Sequence, residues 1–178
     1  MSTRDSLGAR LAAVVEKETR LDGLVSRLTG PTSRLIARPA RRDVLLGKQL
    51  GHALHPILTD LPIGLWTSSV ALDLTMPRAR DAARRLVGLG VLAAVPTAVT
   101  GWAEWARTGS REDRRTGVVH AGANGAAAVL FAGSWLARRS GRQATGVALS
   151  RLATVAMGAG GALGGHLAIG RKVGSSFS

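Results

Sequence analysis

Apolar residues fall into two kinds of pattern along this chain. Over residues 1–30 they recur at helical spacing, at Leu7, Leu11, Val14, Leu21, Val25 and Leu28, with Arg10, Glu16, Lys17, Glu18 and Arg20 between them. That spacing predicts an amphipathic helix lying on a membrane surface or on a bundle, ended by Gly30-Pro31. Beyond residue 50 the polar positions thin out. Four runs, 56–75, 86–106, 117–137 and 151–170, are each near the roughly 20 residues that a helix needs to cross a bilayer core. The second and fourth runs are almost free of charge in their interiors, whereas the first contains Asp60 and Asp73.

Residues 31–51 read as a basic connector with a short helix over 44–50. The links 76–85, 107–116 and 138–146 carry charges together with Pro77, Gly109, Ser110, Gly141 and Gly146. Links this short make sequential helices antiparallel neighbours. The expected fold is all-α: an integral-membrane four-helix bundle, up-down-up-down, with an N-terminal amphipathic helix. The domain reading is 1–41 for that helix and its connector, 42–174 for the four-span membrane domain and 175–178 for a tail. A soluble four-helix bundle is the alternative. It needs a polar face on every helix, and the second and fourth runs offer none. Leu7 to Val15 is too short and too soon followed by charge to be a secretory h-region, so no signal peptide is expected.

Composition agrees with lipid. Hydrophobic residues make up 46% of the 178, yet aromatics only 3%, and there is no Tyr. Ala, Gly, Leu and Val supply the bulk, as suits helices that pack closely in a membrane. The net charge of +13 raises the question of nucleic acid. The arginines instead flank the apolar runs in short clusters (Arg84-Arg85, Arg114-Arg115, Arg138-Arg139), which fits headgroup contact and topology control. No nucleic-acid partner is expected. Near the runs, eleven basic residues lie on the side that holds the N-terminus and eight on the other. The difference favours a multi-pass protein of the cell (inner) membrane with both termini in the cytoplasm. With no cysteine, disulfides, thiolate-bound iron–sulfur clusters and covalent c-type haem are excluded in this chain.

The candidate chemistry is a layer of imidazoles. His52 and His55 precede the first run, His120 opens the third and His166 closes the fourth, so an up-down-up-down bundle brings all four to one face of the bilayer. Asp60 lies about 7 Å deeper than His55 by helical rise. Glu104 ends the second run beside Trp102 and Trp105, and Asn124 follows His120 by one turn. Ionisable groups at membrane depth usually pair, face the bundle interior or serve function. Each histidine taken singly also reads as a hydrogen-bonded structural residue. The small-residue pairs Gly160/Gly164 and Gly161/Gly165, with Gly117, Ala121 and Gly125 beside His120, read as tight helix packing or as room for a flat macrocycle. The Trp pair reads as an interfacial anchor.

The stretch Gly51-His52-Ala53-Leu54-His55-Pro56-Ile57-Leu58-Thr59-Asp60-Leu61-Pro62-Ile63-Gly64 resembles the hallmark of a bacterial membrane family, domain of unknown function 2231. Thr100-Gly101-Trp102, His120-Ala121-Gly122-Ala123-Asn124 and Gly164-Gly165-His166-Leu167 match in order. The resemblance covers roughly residues 42–174, with Ala53 standing where many members have proline. It implies a four-span integral membrane domain. Some relatives carry a Rieske-type domain; with no cysteine here, such a domain would belong to a partner.

Three functions remain. The first is a membrane b-type haem protein that moves electrons, with quinone as an electron partner. Haem iron can be held by imidazoles alone. The axial pair is His55 with His120, or His120 with His166, and Asp60 or Asn124 orients a ligand. The second is a non-haem zinc, iron or copper site built from His52, His55, His120 and His166 with Asp60 or Glu104. The third is a non-enzymatic anchor for a redox partner, docked through the basic N-terminal segment. No catalytic residue is assigned and no hydrolase or transferase signature is found, so whether the chain is a redox subunit of an enzyme stays open.

Overall fold

The computed structural model describes residues 6–173. Among them are seven α-helices and no strand: α1 (Leu7–Val15), α2 (Asp22–Leu35), α3 (Pro39–Leu45), α4 (Leu54–Thr75), α5 (Arg80–Trp105), α6 (Arg111–Arg139) and α7 (Gln143–Gly165). Turns of 3-10 helix at Thr19–Leu21 and Lys48–Leu50 join the N-terminal helices, and a π-turn, His166–Gly170, follows α7. The tail expected at 175–178 lies outside the described residues. Helices α4 to α7 cover most of the four apolar runs but start earlier, and charged first turns extend α5 and α6. Helix α6 shows why: Ser110 accepts from the Asp113 N–H, Glu112 and Asp113 occupy the first turn, and Arg138 and Arg139 the last. Charges so placed oppose the helix dipole at both ends.

Two expectations at the N-terminus are corrected. The single helix over 1–30 is broken into α1, a 3-10 turn capped by Glu18, and α2. The break lets Glu16 and Asp22 reach partners on α6 and beyond α7, and those ion pairs outweigh helical continuity. Gly30-Pro31 also fails to end a helix, since α2 runs on to Leu35. Val25 packs against Trp105 and Val118, and Thr29 bonds Arg114, so tertiary contacts hold the segment that leads into the proline. The short helix of the connector is α3, with Pro39 at its first turn, and only the 3-10 turn lies over 48–50. Gly47 between them has φ 76°, and a Cβ there would lie 2.3 Å from the His52 carbonyl oxygen.

Contacts divide the chain into two units, and each of the four long helices contributes one end to each. One comprises residues 1–55, 98–122 and 159–178, and the other 56–97 and 123–158. In the second unit, Trp66 stacks on Phe131 at 4.3 Å between ring centroids, with Val87, Ala127, Ala153 and Met157 around them. Four of its polar side chains form one buried network. The Arg138 guanidinium donates to Asp73 through both terminal nitrogens and to Ser134 and Ser150, and the Ser134 hydroxyl donates to the Gly146 carbonyl. Pro62 has no N–H to offer the Leu58 carbonyl, and the Thr97 hydroxyl stands 3.1 Å from it, shared with the Ala93 carbonyl at 2.8 Å.

The outward surface is apolar. Leu92 on α5, Val129 on α6 and Val155 on α7 are 69%, 71% and 71% exposed, while Ser69, Ser134 and Ser150 are fully buried. Helix α5, and α7 with its π-turn, are long and apolar enough to cross a bilayer, yet only 28% and 22% of their apolar windows are buried. A helix at the core of a soluble protein would be mostly covered. Outward aliphatic and inward hydroxyl side chains are the arrangement expected of helices in lipid.

In the first unit, α1 lies on α7. A Cβ on Gly8 would come within 2.2 Å of the Ala162 carbonyl oxygen, so only glycine permits this approach. Arg115 makes the second attachment: it donates to both Asp22 oxygens, at 2.7 and 2.8 Å, and to the Glu16 carbonyl at 2.6 Å. Hydrogen bonds from Arg115 hold the Asp22 carboxyl below the usual range, against partial burial that pushes it up.

Two consequences can be measured. Arg138→Ala leaves Asp73 buried without its countercharge, so unfolding in detergent should show a loss of about 3–5 kcal/mol, with much of it recovered when Asp73 is also made leucine. Asp22 has a folded pKa below its ordinary value of 3.8. Its contribution is therefore complete above that value and vanishes as pH falls through the lowered one. Asp22→Asn should flatten the acid limb of a thermal-midpoint titration from about pH 5 downward, leaving the neutral limb parallel to that of the unchanged protein.

Candidate functional site

Helix starts and ends in the first unit carry the imidazoles. His55 stands in the first turn of α4, ahead of Pro56, whose missing N–H costs nothing there. Its backbone N–H is accepted by the Glu104 carboxylate from the last turn of α5. The other carboxylate oxygen, Oε1, is buried and has no partner among the described residues. One turn earlier on α5, Gly101 receives the His55 ring: a Cβ there would fall 2.8 Å from its Cε1 atom. Helix α5 thus fixes both the backbone and the ring of His55.

His120 is held in the same way by α7. A Cβ on Gly164 would lie 2.7 Å from His120 Cε1, and His120 Nδ1 is 2.8 Å from the Gly160 carbonyl oxygen. A carbonyl only accepts, so Nδ1 carries a proton and donates. In the neutral ring the lone pair is then on Nε2. This is how metal-binding imidazoles are commonly oriented, with the remote N–H given to a backbone carbonyl or carboxylate. The two rings come together: His55 and His120 centroids are 6.3 Å apart with the planes at 89°.

The other candidates go elsewhere. His166 starts the π-turn, and its Nε2 lies 3.3 Å from Glu16 Oε1. Arg171 stands 3.9 Å from the same oxygen and donates to Asp113 at 2.7 Å. His166 is therefore committed to tying α1 down. His52 is exposed, as is Asp60, while Asn124 is half-buried; Asp60 and Asn124 belong to the second unit. Among the described residues, no three His, Asp or Glu side chains gather closely enough to hold a bare metal ion. Trp105 is buried, donates to the Arg114 carbonyl at 3.0 Å and lies edge-on to Trp102 at 5.5 Å.

The glycines seat rings as well as helices. Gly101 and Gly164 lie under His55 and His120, whereas Gly122, Gly125, Gly161 and Gly165 face open space. Sequence reasoning did not single out Glu16 or the Gly160 carbonyl. Both act through contacts 150 and 40 residues apart, for which no local spacing exists.

The family model described as "Predicted membrane protein (DUF2231)" matches residues 51–176. The chain belongs to this DUF2231 family. No curated protein and no solved structure matches it. All four histidines and Glu104 lie inside the DUF2231 domain, whereas Glu16 and Asp22, which grip it, come from residues 1–50, outside the match.

Gly164→Ala should force the His120 ring off the Gly160 carbonyl. Nitrogen NMR of labelled imidazoles should show an Nδ1-protonated ring in the unchanged protein and a mixed or reversed tautomer in the variant. A stability loss of about 0.5–1.5 kcal/mol, the usual worth of one hydrogen bond, should accompany it.

Proposed function

We propose that this DUF2231 protein is a membrane redox protein in which His55 and His120 would hold one b-type haem, with quinone as the electron partner. The observation that carries the reading is the spacing of the pair. Two imidazoles bound end-on to one metal, at about 2.0–2.1 Å each, have ring centroids about 6 Å apart, and these stand at 6.3 Å. The donor set fits haem better than a bare ion. Haem iron brings four nitrogens of its own and asks the protein for two, whereas structural zinc asks for four and catalytic zinc for three. The Gly160 carbonyl fixes the His120 tautomer in favour of Nε2, and Glu104 and Gly101 fix His55. Bound there, haem would supply one-electron transfer. The chain's own part is to hold two imidazoles at a fixed separation, with His166 and Glu16 closing α1 over the neighbouring stretch of α7.

The same reading takes α4 to α7 as four spans of the inner membrane, with both termini in the cytoplasm. Outward aliphatic residues on all four helices support it, among them Leu61, Leu92, Val129 and Val155. Asp73 and Asp60 lower the hydropathy of α4, but Asp73 is neutralised by Arg138 inside the second unit.

Optical spectra of the purified protein, expressed with ample haem, test this. A Soret band should appear with one haem per chain. His55→Ala and His120→Ala should each abolish it or convert the iron from low to high spin, while His52→Ala and His166→Ala keep it. Stoichiometric zinc, iron or copper by elemental analysis with no Soret band would transfer the site to a non-haem metal. Neither haem nor metal would leave the anchor function.

A further inference from the structure

We propose that the face formed by α2, α3 and the Lys48–Leu50 turn is a binding surface for acidic phospholipid headgroups. Residues 23–50 carry six basic side chains and one acid, Asp43. That acid is already shared by Arg42 and Lys48, each at 3.4 Å. Arg27, Arg34, Arg38 and Arg41 are all exposed, and no ion pair joins them to a carboxylate among the described residues. Helix α3 folds back on the end of α2, where the Arg41 guanidinium donates to the Arg34 carbonyl at 2.7 Å. The fold therefore gathers Arg34, Arg38 and Arg41, whose like charges repel, and leaves their countercharge to come from outside.

The exposed aliphatic residues identify the occupant. Leu24, Val44 and Leu50 are 44%, 56% and 60% exposed in the same stretch. A surface for free phosphate or nucleic acid has no use for them. Basic and apolar side chains interleaved on short helices fit the boundary between headgroups and acyl chains, where aliphatic groups dip inward and guanidinium groups meet phosphate. The stretch lies outside the residues matched by the DUF2231 model. Its attachment through Asp22, Thr29 and Val25 to α6 and α5 holds it to the membrane domain.

The test is native mass spectrometry of the full chain in detergent, titrated with phosphatidylglycerol, with phosphatidylcholine and with inorganic phosphate. The unchanged protein should retain phosphatidylglycerol in preference to phosphatidylcholine, and inorganic phosphate should not compete. Replacing Arg27, Arg34, Arg38 and Arg41 by glutamine should weaken phosphatidylglycerol binding on the order of a hundredfold or more. Replacing the same four by lysine should restore most of it, which also shows that the effect is one of charge and not of folding. Equal loss on replacing Arg78, Arg80 and Arg84 by glutamine would overturn the assignment to this face. Undiminished binding by the glutamine variant would do the same. If the unchanged protein ignores both lipids but binds a polyglutamate peptide, the surface belongs to an acidic protein and the proposal fails. The glutamine variant should keep the optical spectrum of the unchanged protein, so the outcome is independent of the haem reading.

Discussion

Several rings in this protein rest on bare backbone, and the rest of the structure depends on that contact. Trp66 lies on Gly90 and donates to the Val87 carbonyl; Trp105 lies on Gly117 and donates to the Arg114 carbonyl; His120 lies on Gly164 and donates to the Gly160 carbonyl. In each case the ring N–H goes to the carbonyl three or four residues before the glycine on the same helix. The reason is geometric. A helical Cβ tilts toward the N-terminus and covers the preceding turn. Glycine uncovers that turn, and the carbonyl there has a second lone pair beyond its intrahelical bond. A ring can then pack flat and donate at once. Among helices in lipid, where no hydrophobic drive pulls one against another, packing and hydrogen bonds must supply the association. This contact supplies both from one side chain.

Lipid also explains what is buried. An apolar exterior leaves many polar residues to the inside, where most find a partner. Asp73 and Arg138 neutralise one another, Ser134 and Ser150 complete the guanidinium's donors, and Thr97 meets the carbonyl that Pro62 orphans. Such pairs contribute little net stability compared with a well-packed apolar core, but removing one member is costly. Their effect is on register: the Asp73–Arg138–Ser134–Ser150 network ties α4, α6 and α7 together at fixed positions. The first unit uses the same logic, where Arg115 meets Asp22 and Arg171 meets Asp113.

The sequence made the long helices legible because their apolar runs are long and carry few charges, and α4 to α7, with the π-turn after α7, cover nearly all of them. It made α2 illegible past Gly30-Pro31, because local breaker chemistry says nothing of Val25 packing on Trp105 or Thr29 receiving Arg114. The break between α1 and α2 was equally hidden, since its cause lies at His166, Arg115 and Arg171. For the site, the sequence indicated that imidazoles would share one end of the helices. It could not rank them. His55 and His120 differ from His52 and His166 in having a glycine on a neighbouring helix beneath the ring, and such a pairing of positions 55 with 101 and 120 with 164 appears only when the helices pack.

The partner of each ring nitrogen then decides what each histidine can do. His166 faces a carboxylate that is also held by Arg171. Its Nε2 donates to Glu16, and moving it would release the N-terminal helix from α7. His120 faces a carbonyl, a weaker and uncharged acceptor, which orients the ring but leaves its other nitrogen the basic one. Two imidazoles on similar helices thus have different surroundings: one attaches a segment through a carboxylate, and the other is oriented by a carbonyl with its ring centroid 6.3 Å from that of His55. Glu104 sharpens the division. Its carboxylate accepts from the backbone of His55, so it fixes where α4 begins, while Gly101 makes room for the imidazole.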